Sequence, residues 1–378
     1  MVNGQNNDFV VTPWEVHGKI DYNRLMEKFG TSPISEGLLE RIRHHAGDLH
    51  FMLRRGIFFT HRDMDWILDE FEKGNKFHLY TGRGPSDHTH LGHLVPWVFT
   101  KWLQDKFDVK LIFQLTDDEK FLFKEDLELS DTYSYALDNA LDVIALGFDP
   151  RKTEIYIDTD NAKTFYKLAL PIAKKITFST VKASFGFDNS MNIGSIFYTS
   201  IQAVPAILES VKQGKNVPCL IPHAIDQDPH FRVARDVLPK LGFYKPGNIQ
   251  CQFIPGLSGP ESKMSASDPT ETIFVTDTPK SVKNKIIKYA FSGGQATIKE
   301  HRELGGNPDI DVSFQWLKLL FEPDDKKLKK IEEDYRTGEL LTGDLKNILI
   351  ENANQFLIHH RKEREKAKDK LDRFLVKD

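Results

Sequence analysis

Between Phe77 and Asp277 the chain alternates short apolar runs with longer stretches whose apolar residues recur at helical spacing. Phe77 to Tyr80 reads as a strand, and a glycine-rich bend follows. Leu94, Trp97, Val98, Trp102 and Leu103 then trace one face of a helix. Val109-Lys-Leu-Ile-Phe-Gln-Leu115 is almost continuously apolar, as a strand buried on both faces must be, with Gln114 as its polar interruption. Ser130 or Asp131 could cap a helix reaching Leu146, closed by Gly147. Further strands are expected at Glu154–Asp158, Pro218–Pro222 and Gln250–Pro255. Strands alternating with helices over this length predict an α/β class with a doubly wound parallel sheet.

The pattern differs on either side. Residues 1–76 form an N-terminal extension: a Pro-interrupted strand pattern at Val10–Val16, a helix from near Asp21 with Asp21 as its N-cap, and helices over 35–73. Those last carry Arg41, Arg43, His44, His45, His50, Arg54, Arg55, His61 and Arg62. This load suits a solvated face plus loop, or an RNA or phosphate contact. After Asp277 strand signals stop, and 278–378 read as helices: one opened by Thr278-Pro279, one at Val312–Phe321, one at Lys326–Arg336, and a long one capped by Thr342 and running toward Phe374. The last could pack back on the 77–277 unit. Its basic tract Arg361–Lys370 fits an exposed, salt-bridged face.

Composition narrows the class without naming a chemistry. The 378 residues carry a formal net charge of −4, which argues against a protein coated in nucleic acid but permits a local basic track. Cys219 and Cys251 are the two cysteines, with no metal-ligand spacing, so no zinc site or disulfide framework is expected. No window is long and apolar enough to span a membrane, and the N-terminus lacks the order of a signal peptide. A cytoplasmic protein is the expectation.

Two stretches carry candidate chemistry. In Tyr80-Thr-Gly-Arg-Gly-Pro85 running on to His90-Leu-Gly-His93, a strand, a glycine-rich bend and a helix start come together, where backbone N–H groups and the helix dipole receive a phosphate. Histidines three apart stand side by side there, and Gly92 lets a base or phosphate approach the backbone. Pro96 requires that helix to begin close to His93. The second stretch is Lys263-Met-Ser-Ala-Ser267, a polar loop after a strand, whose ammonium can swing onto a polyphosphate and leave with the product.

Together these stretches resemble the paired motifs of class I aminoacyl-tRNA synthetases. Tyr80–Ser86, Gln114-Leu-Thr-Asp-Asp-Glu-Lys120, Ala224-Ile-Asp-Gln-Asp-Pro229 and Lys263–Pro269 look like the tryptophanyl-tRNA synthetases of the eukaryotic cytosolic and related archaeal kind. The likeness extends to Val11-Thr-Pro-Trp14, Phe291–Gly294, Gly305–Asn307 and Asp311–Phe314. It implies a Rossmann-like catalytic domain over 77–277 and an all-helical anticodon-binding domain over 278–378. It further implies activation of tryptophan by ATP with Mg²⁺ and transfer to tRNA(Trp), with no protein-bound metal, in a homodimer.

The residues fit that reading. Gln114 and Thr116 share one side of their strand near its carboxyl end, where open α/β sheets bind ligands, and Tyr80 ends its strand at the same rim. Indole N–H is a donor only, and the side-chain oxygens of Tyr80 and Gln114 could accept from it. By resemblance, Glu119, Gln202 and Gln227 hold the substrate ammonium, with Lys120 near its carboxylate. Asp226 takes the ATP ribose hydroxyls, and Gly92, Met264 and Ser265 contact ATP. His90, His93, Arg83 and Lys263 act on the phosphates. Asp228, with Pro229 behind it, suffices as a helix N-cap and is left out of the site. Val11–Trp14 is expected in a lid over the active site, with no room before it for a further RNA-binding domain.

Three other readings compete: a tyrosyl enzyme of the same fold, a catalytically silent RNA-binding or signalling relative, and a small-metabolite adenylyltransferase. A tyrosine site favours a carboxylate facing the phenol, whereas Gln114 is neutral. A silent relative should have decayed phosphate motifs, and none is decayed. The helical module and the Lys263 loop disfavour the adenylyltransferase. The tract Ser86-Asp87-His88-Thr89 has no role assignable from sequence.

Overall fold

The structure, a computed structural model, describes residues 9–11, 16–18, 21–260, 262, 264 and 270–378. Lys263, Ser265 and most of Val11–Trp14 therefore lie outside the described residues. Ten strands are present among those described: β1 (Phe9–Val11), β2 (Val16–Gly18), β3 (Ser32–Pro33), β4 (Phe58–Arg62), β5 (His78–Arg83), β6 (Lys110–Leu115), β7 (Thr153–Ile157), β8 (Cys219–Ala224), β9 (Gly247–Cys251) and β10 (Leu375–Val376). β1 and β2 pair as an antiparallel hairpin. The other eight form one sheet in the order β10-β7-β6-β5-β8-β9-β4-β3.

From β5 the chain winds outward through β6 and β7, then returns to place β8 and β9 on the other side of β5, all parallel. The switch point lies between β5 and β8, and open α/β sheets bind ligands in the crevice there, beyond the carboxyl ends of the strands. The glycine-rich bend leaves β5 at that rim.

Period-2 alternation divides the strands between two cores. Leu79, Leu111, Phe113, Ile155 and Ile157 pack on one face, with helix Leu91–Phe107 and helix Leu129–Ala145. Tyr80, Ile112, Tyr156, Cys219 and Ile221 pack on the other, with the helices between β7 and β8 and helix Asp228–Val237. Both strand faces are covered, hence the near-continuous apolar runs. At Gly82 the backbones of β5 and β6 leave no room for a side chain: an added Cβ would lie 2.6 Å from the Gln114 carbonyl oxygen. Gly82→Ala must therefore part the two central strands, and a loss of about 1–3 kcal/mol is expected in urea unfolding. A midpoint unchanged from wild type would contradict that packing.

Several local expectations are corrected. The 35–73 region is not all helical: β4 runs through it and pairs antiparallel with β9. Many of its basic residues have partners within the fold. Arg41 bonds Asp69 and Glu72, and Arg55 reaches Asp325 and the carbonyls of Lys318 and Glu322. Pro96 stands in the second turn of helix Leu91–Phe107, with His90 as the N-cap, so it removes the helical hydrogen bond to the Gly92 carbonyl. Glu128, not Ser130 or Asp131, caps helix Leu129–Ala145, and Asp131 answers it reciprocally. Asp228 is no N-cap. Its fully buried carboxylate takes both Nη atoms of Arg62 and Gln250 Nε2 at 2.6 Å, and it forms an ion pair with Arg232, whose Nε lies 3.1 Å away.

Beyond Asp277 the helical reading holds until the last residues, where β10 pairs in parallel with β7. Helix Thr342–Ala367 starts from Leu341 rather than from a Thr342 cap; the Thr342 hydroxyl instead lies 3.2 Å from Tyr335 OH. This helix lies against helix Leu129–Ala145, where buried Asp142 accepts Arg364 Nε at 2.7 Å and faces His360 Nε2 at 3.2 Å. Asp311 organises the rest of the module, its carboxylate taking the N–H groups of Gly293, Ser313 and Phe314 and the hydroxyl of Tyr335. The matching motifs in this region are thus packing devices.

Candidate active site

At the carboxyl rim of the sheet a buried polar staircase crosses three strands. Tyr80 faces Ile112 in register, and Gln114 stands two residues further on β6; Gln114 faces Tyr156, and Asp158 stands two residues further along β7's chain. Each step is diagonal, so the three side chains share one face and climb toward the rim. The Tyr80 hydroxyl donates to Gln114 Oε1 at 2.6 Å, with the Gln202 carbonyl 3.0 Å away as a second acceptor. Gln114 Nε2 donates to both Asp158 oxygens, at 3.0 and 2.9 Å. Gln202 Nε2 returns to the Tyr80 oxygen at 2.6 Å, and its Oε1 accepts from Tyr198 OH. Phe231 closes edge-on over the Tyr80 ring at 5.8 Å, and His230 lies 4.9 Å from the Phe185 ring.

Burial governs the charges here. It pushes the Tyr80 and Tyr198 phenols far up and the His230 imidazole down to about 4, so all three are neutral at pH 7. Asp158 and Asp118 share a hydrogen bond, and desolvation raises both carboxyls, Asp118 to about 7. Sequence reading named Gln114, Tyr80 and Gln202 but missed Asp158, Tyr198 and Phe231. Asp158 left one usable signal, an acidic residue ending an apolar strand at the rim.

Beside the staircase, Thr116 Oγ1 donates to Glu119 Oε2 at 2.7 Å in the first turn of helix Asp117–Phe123. Gly84 lets this turn close over the bend: an added Cβ would meet Glu119 Oε2 at 2.4 Å and Lys120 Cε at 2.8 Å. Glu119 and Lys120 are thereby brought next to the β5 exit. Asp226 is buried and Gln227 half-buried in the short turn Ile225–Gln227 that follows β8, on the far side of the switch point.

The phosphate end is built around two stacked imidazoles, His90 and His93, with centroids 3.6 Å apart. The His90 N–H donates to His93 Nδ1 at 3.3 Å, and Gly92 lies in the turn between them, against the His90 ring. Arg83 is turned inward. Its guanidinium bonds Thr89 Oγ1, Ser86 Oγ at 2.7 Å and the His88 carbonyl at 2.8 Å, and burial lowers it to about 10, still a cation at pH 7. The tract Ser86–Thr89, unassigned from sequence, is what Arg83 ties together. The chain after the lysine loop returns to the same place: Leu91 N donates to Ile273 O at 3.2 Å and Val275 N to Thr89 O at 2.9 Å. Met264 is buried in the main core rather than displayed to solvent. Among the described residues, no group of three or more His, Cys, Asp or Glu is placed to hold a metal ion, and no helix is long and apolar enough to cross a membrane.

The family described as tRNA synthetases class I (W and Y) matches residues 72–358. A tryptophan–tRNA ligase of Sulfolobus acidocaldarius is 54% identical, over 97% of this chain and 95% of the relative. The tryptophan–tRNA ligase of Pyrococcus furiosus is 51% identical over 97% and 94%. Among solved structures, the tryptophanyl-tRNA synthetase of Giardia lamblia superposes with a TM-score of 0.88 at 39% identity, covering 94% of this chain and 96% of that one. A product-bound parasite tRNA synthetase reaches 0.91 at 43% identity, with coverage of 94% and 96%. With the parallel sheet, the switch-point bend and the staircase beside it, the chain belongs to the class I tRNA synthetases of the W and Y group, within the tryptophan–tRNA ligases.

Proposed function

We propose that this chain activates L-tryptophan with ATP to tryptophanyl-adenylate and pyrophosphate, then transfers the aminoacyl group to tRNA(Trp) and releases AMP. The observation that carries the reading is the Tyr80–Gln114 pair, a neutral acceptor system buried at the switch point. Gln114 Oε1 takes the Tyr80 hydroxyl at 2.6 Å and, at a long 3.4 Å, Gln202 Nε2, a contact that an indole N–H would replace, and the aromatic walls of Tyr198 and Phe231 keep that bond dry. Glu119, Gln202 and Gln227 would hold the ammonium, Lys120 the carboxylate, and Thr116 the orientation of Glu119.

The carboxylate then attacks the α-phosphate in line, a step that asks the protein for positioning and charge stabilisation. His90, His93 and Lys263 would meet the phosphates, with Gly92, Met264 and Ser265 shaping the nucleotide's seat and Asp226 taking the ribose. Arg83 holds the bend that presents the histidines. Mg²⁺ would arrive with ATP as part of that substrate and would supply charge neutralisation for the leaving pyrophosphate. The reading includes a homodimer acting in the cytoplasm, with helices of 278–378 on the anticodon; these rest on the family alone.

Amino-acid-dependent ATP–pyrophosphate exchange tests it. Exchange is expected with tryptophan and not with tyrosine. The reverse would establish the tyrosyl alternative, and exchange with neither would establish a silent relative.

A further inference from the structure

The two ends of a glutamine amide are nearly equal in shape, and its partners decide which end faces which way. Gln114 sits fully buried between two such partners, the Tyr80 hydroxyl on one side and the Asp158 carboxyl on the other. We propose that Asp158 is a specificity-determining positioning residue, which holds Gln114 Nε2 with both carboxyl oxygens and so keeps Gln114 Oε1 aimed at the ring N–H of the substrate. This inference rests on the tryptophan reading above and deepens it.

The surroundings leave Asp158 no way to do the opposite. Both Asp158 oxygens lie within hydrogen-bond distance of Gln114 Nε2, at 3.0 and 2.9 Å, and Asp118 is the hydrogen-bond partner on the other side of the carboxyl. The neighbouring acids are occupied elsewhere: Asp117 takes the N–H and hydroxyl of Thr159, and Glu119 takes Thr116. A flipped Gln114 would set its oxygen against the Asp158 oxygens and its NH₂ against both the Tyr80 hydroxyl and an arriving indole N–H. An unmade buried hydrogen bond is costly, so the wild-type amide keeps one orientation. Asparagine at 158 keeps the shape but offers both a donor and an acceptor, satisfying either orientation of Gln114. Discrimination by ring N–H should then fade.

The experiment compares kcat/KM for tryptophan with that for β-(benzothiophen-3-yl)alanine, in which sulfur replaces the ring N–H, by pyrophosphate exchange in the full chain. Wild type is expected to prefer tryptophan. Asp158→Asn is expected to lower that preference at least tenfold, through KM for tryptophan, while KM for ATP stays within twofold. A merely structural lesion would depress both substrates alike; an unchanged ratio overturns the proposal. Asp118→Asn disturbs the same carboxyl pair but leaves Asp158 in place, and it should retain the preference. A loss as large as that of Asp158→Asn also overturns the proposal. Should Asp158→Asn fail to fold, Asp158→Ser, whose hydroxyl likewise accepts or donates, is expected to show the same tenfold fall, and an undiminished preference there overturns the proposal. A wild-type chain with no tryptophan-dependent exchange would sink the tryptophan reading itself and this inference with it.

Discussion

Gln114→Leu is expected to cut kcat/KM for tryptophan by about 5- to 150-fold, nearly all of it as weaker tryptophan binding. Leucine approximates the volume of glutamine, so the loss is one of hydrogen bonds. The variant removes the acceptor for the indole N–H, the acceptor 2.6 Å from the Tyr80 hydroxyl and the donor to both Asp158 oxygens. A buried polar group left without its partner costs about 1–3 kcal/mol. Some of this falls on the free protein: the Tyr80 hydroxyl can turn to the Gln202 carbonyl, and Asp158 retains Asp118. What remains in the complex is the unmet indole, together with a site no longer shaped to meet it. Tenfold per 1.4 kcal/mol gives the stated range. Equilibrium binding of tryptophan and initial-rate exchange would check it, with urea unfolding to confirm a folded variant. Tryptophan affinity within threefold of wild type would remove Gln114 from the site.

Lys263→Ala should show the complementary signature. The rate of adenylate formation is expected to fall by about 100- to 1,000-fold, the 3–4 kcal/mol typical of one lost charge-stabilising contact, with tryptophan binding changed less than twofold. The described residues on either side of this lysine are tied to the phosphate end. Its neighbour Met264 is buried in the core, and Ser262 bonds Gly259 O through Oγ at 2.7 Å. On the return, Ile273 and Val275 bond Leu91 and Thr89 beside the two histidines. With the chain on either side anchored there, the ammonium is assigned to phosphates at the helix start and has no part in the Tyr80–Gln114–Asp158 line. Single-turnover kinetics separates the two effects. Comparable losses in activation and in tryptophan affinity would contradict the assignment.

The different signatures mirror how each half of the site was legible. The phosphate half is written in contiguous residues. A strand, a glycine-rich bend and two histidines at a helix start are local events, and the structure stacks His90 on His93 as a three-residue helical spacing requires. Where local reading failed, long-range partners had intervened. Asp228 has the sequence context of an N-cap, yet Arg62, 166 residues earlier, claims its carboxylate. The strand at Phe58–Arg62 was hidden because its His and Arg residues read as a helical face until β9 supplied a partner.

By itself the sequence determined the alternation of strands and helices between Phe77 and Asp277, the α/β class and the glycine-rich approach to the phosphates, because these follow from side-chain periodicity and local backbone preference. It also placed Gln114 near the carboxyl end of its strand, since alternation along a strand is a local rule, whereas Tyr80, read as the last residue of its strand, lies three residues before the end of β5. Only the tertiary structure decided that these two meet on a diagonal, that Asp158, 44 residues after Gln114, completes the line, and which end of the Gln114 amide faces Tyr80. Parallel register is set between strands that never adjoin in sequence, and the direction of an amide is set by the charges around it, so neither is encoded in any one segment.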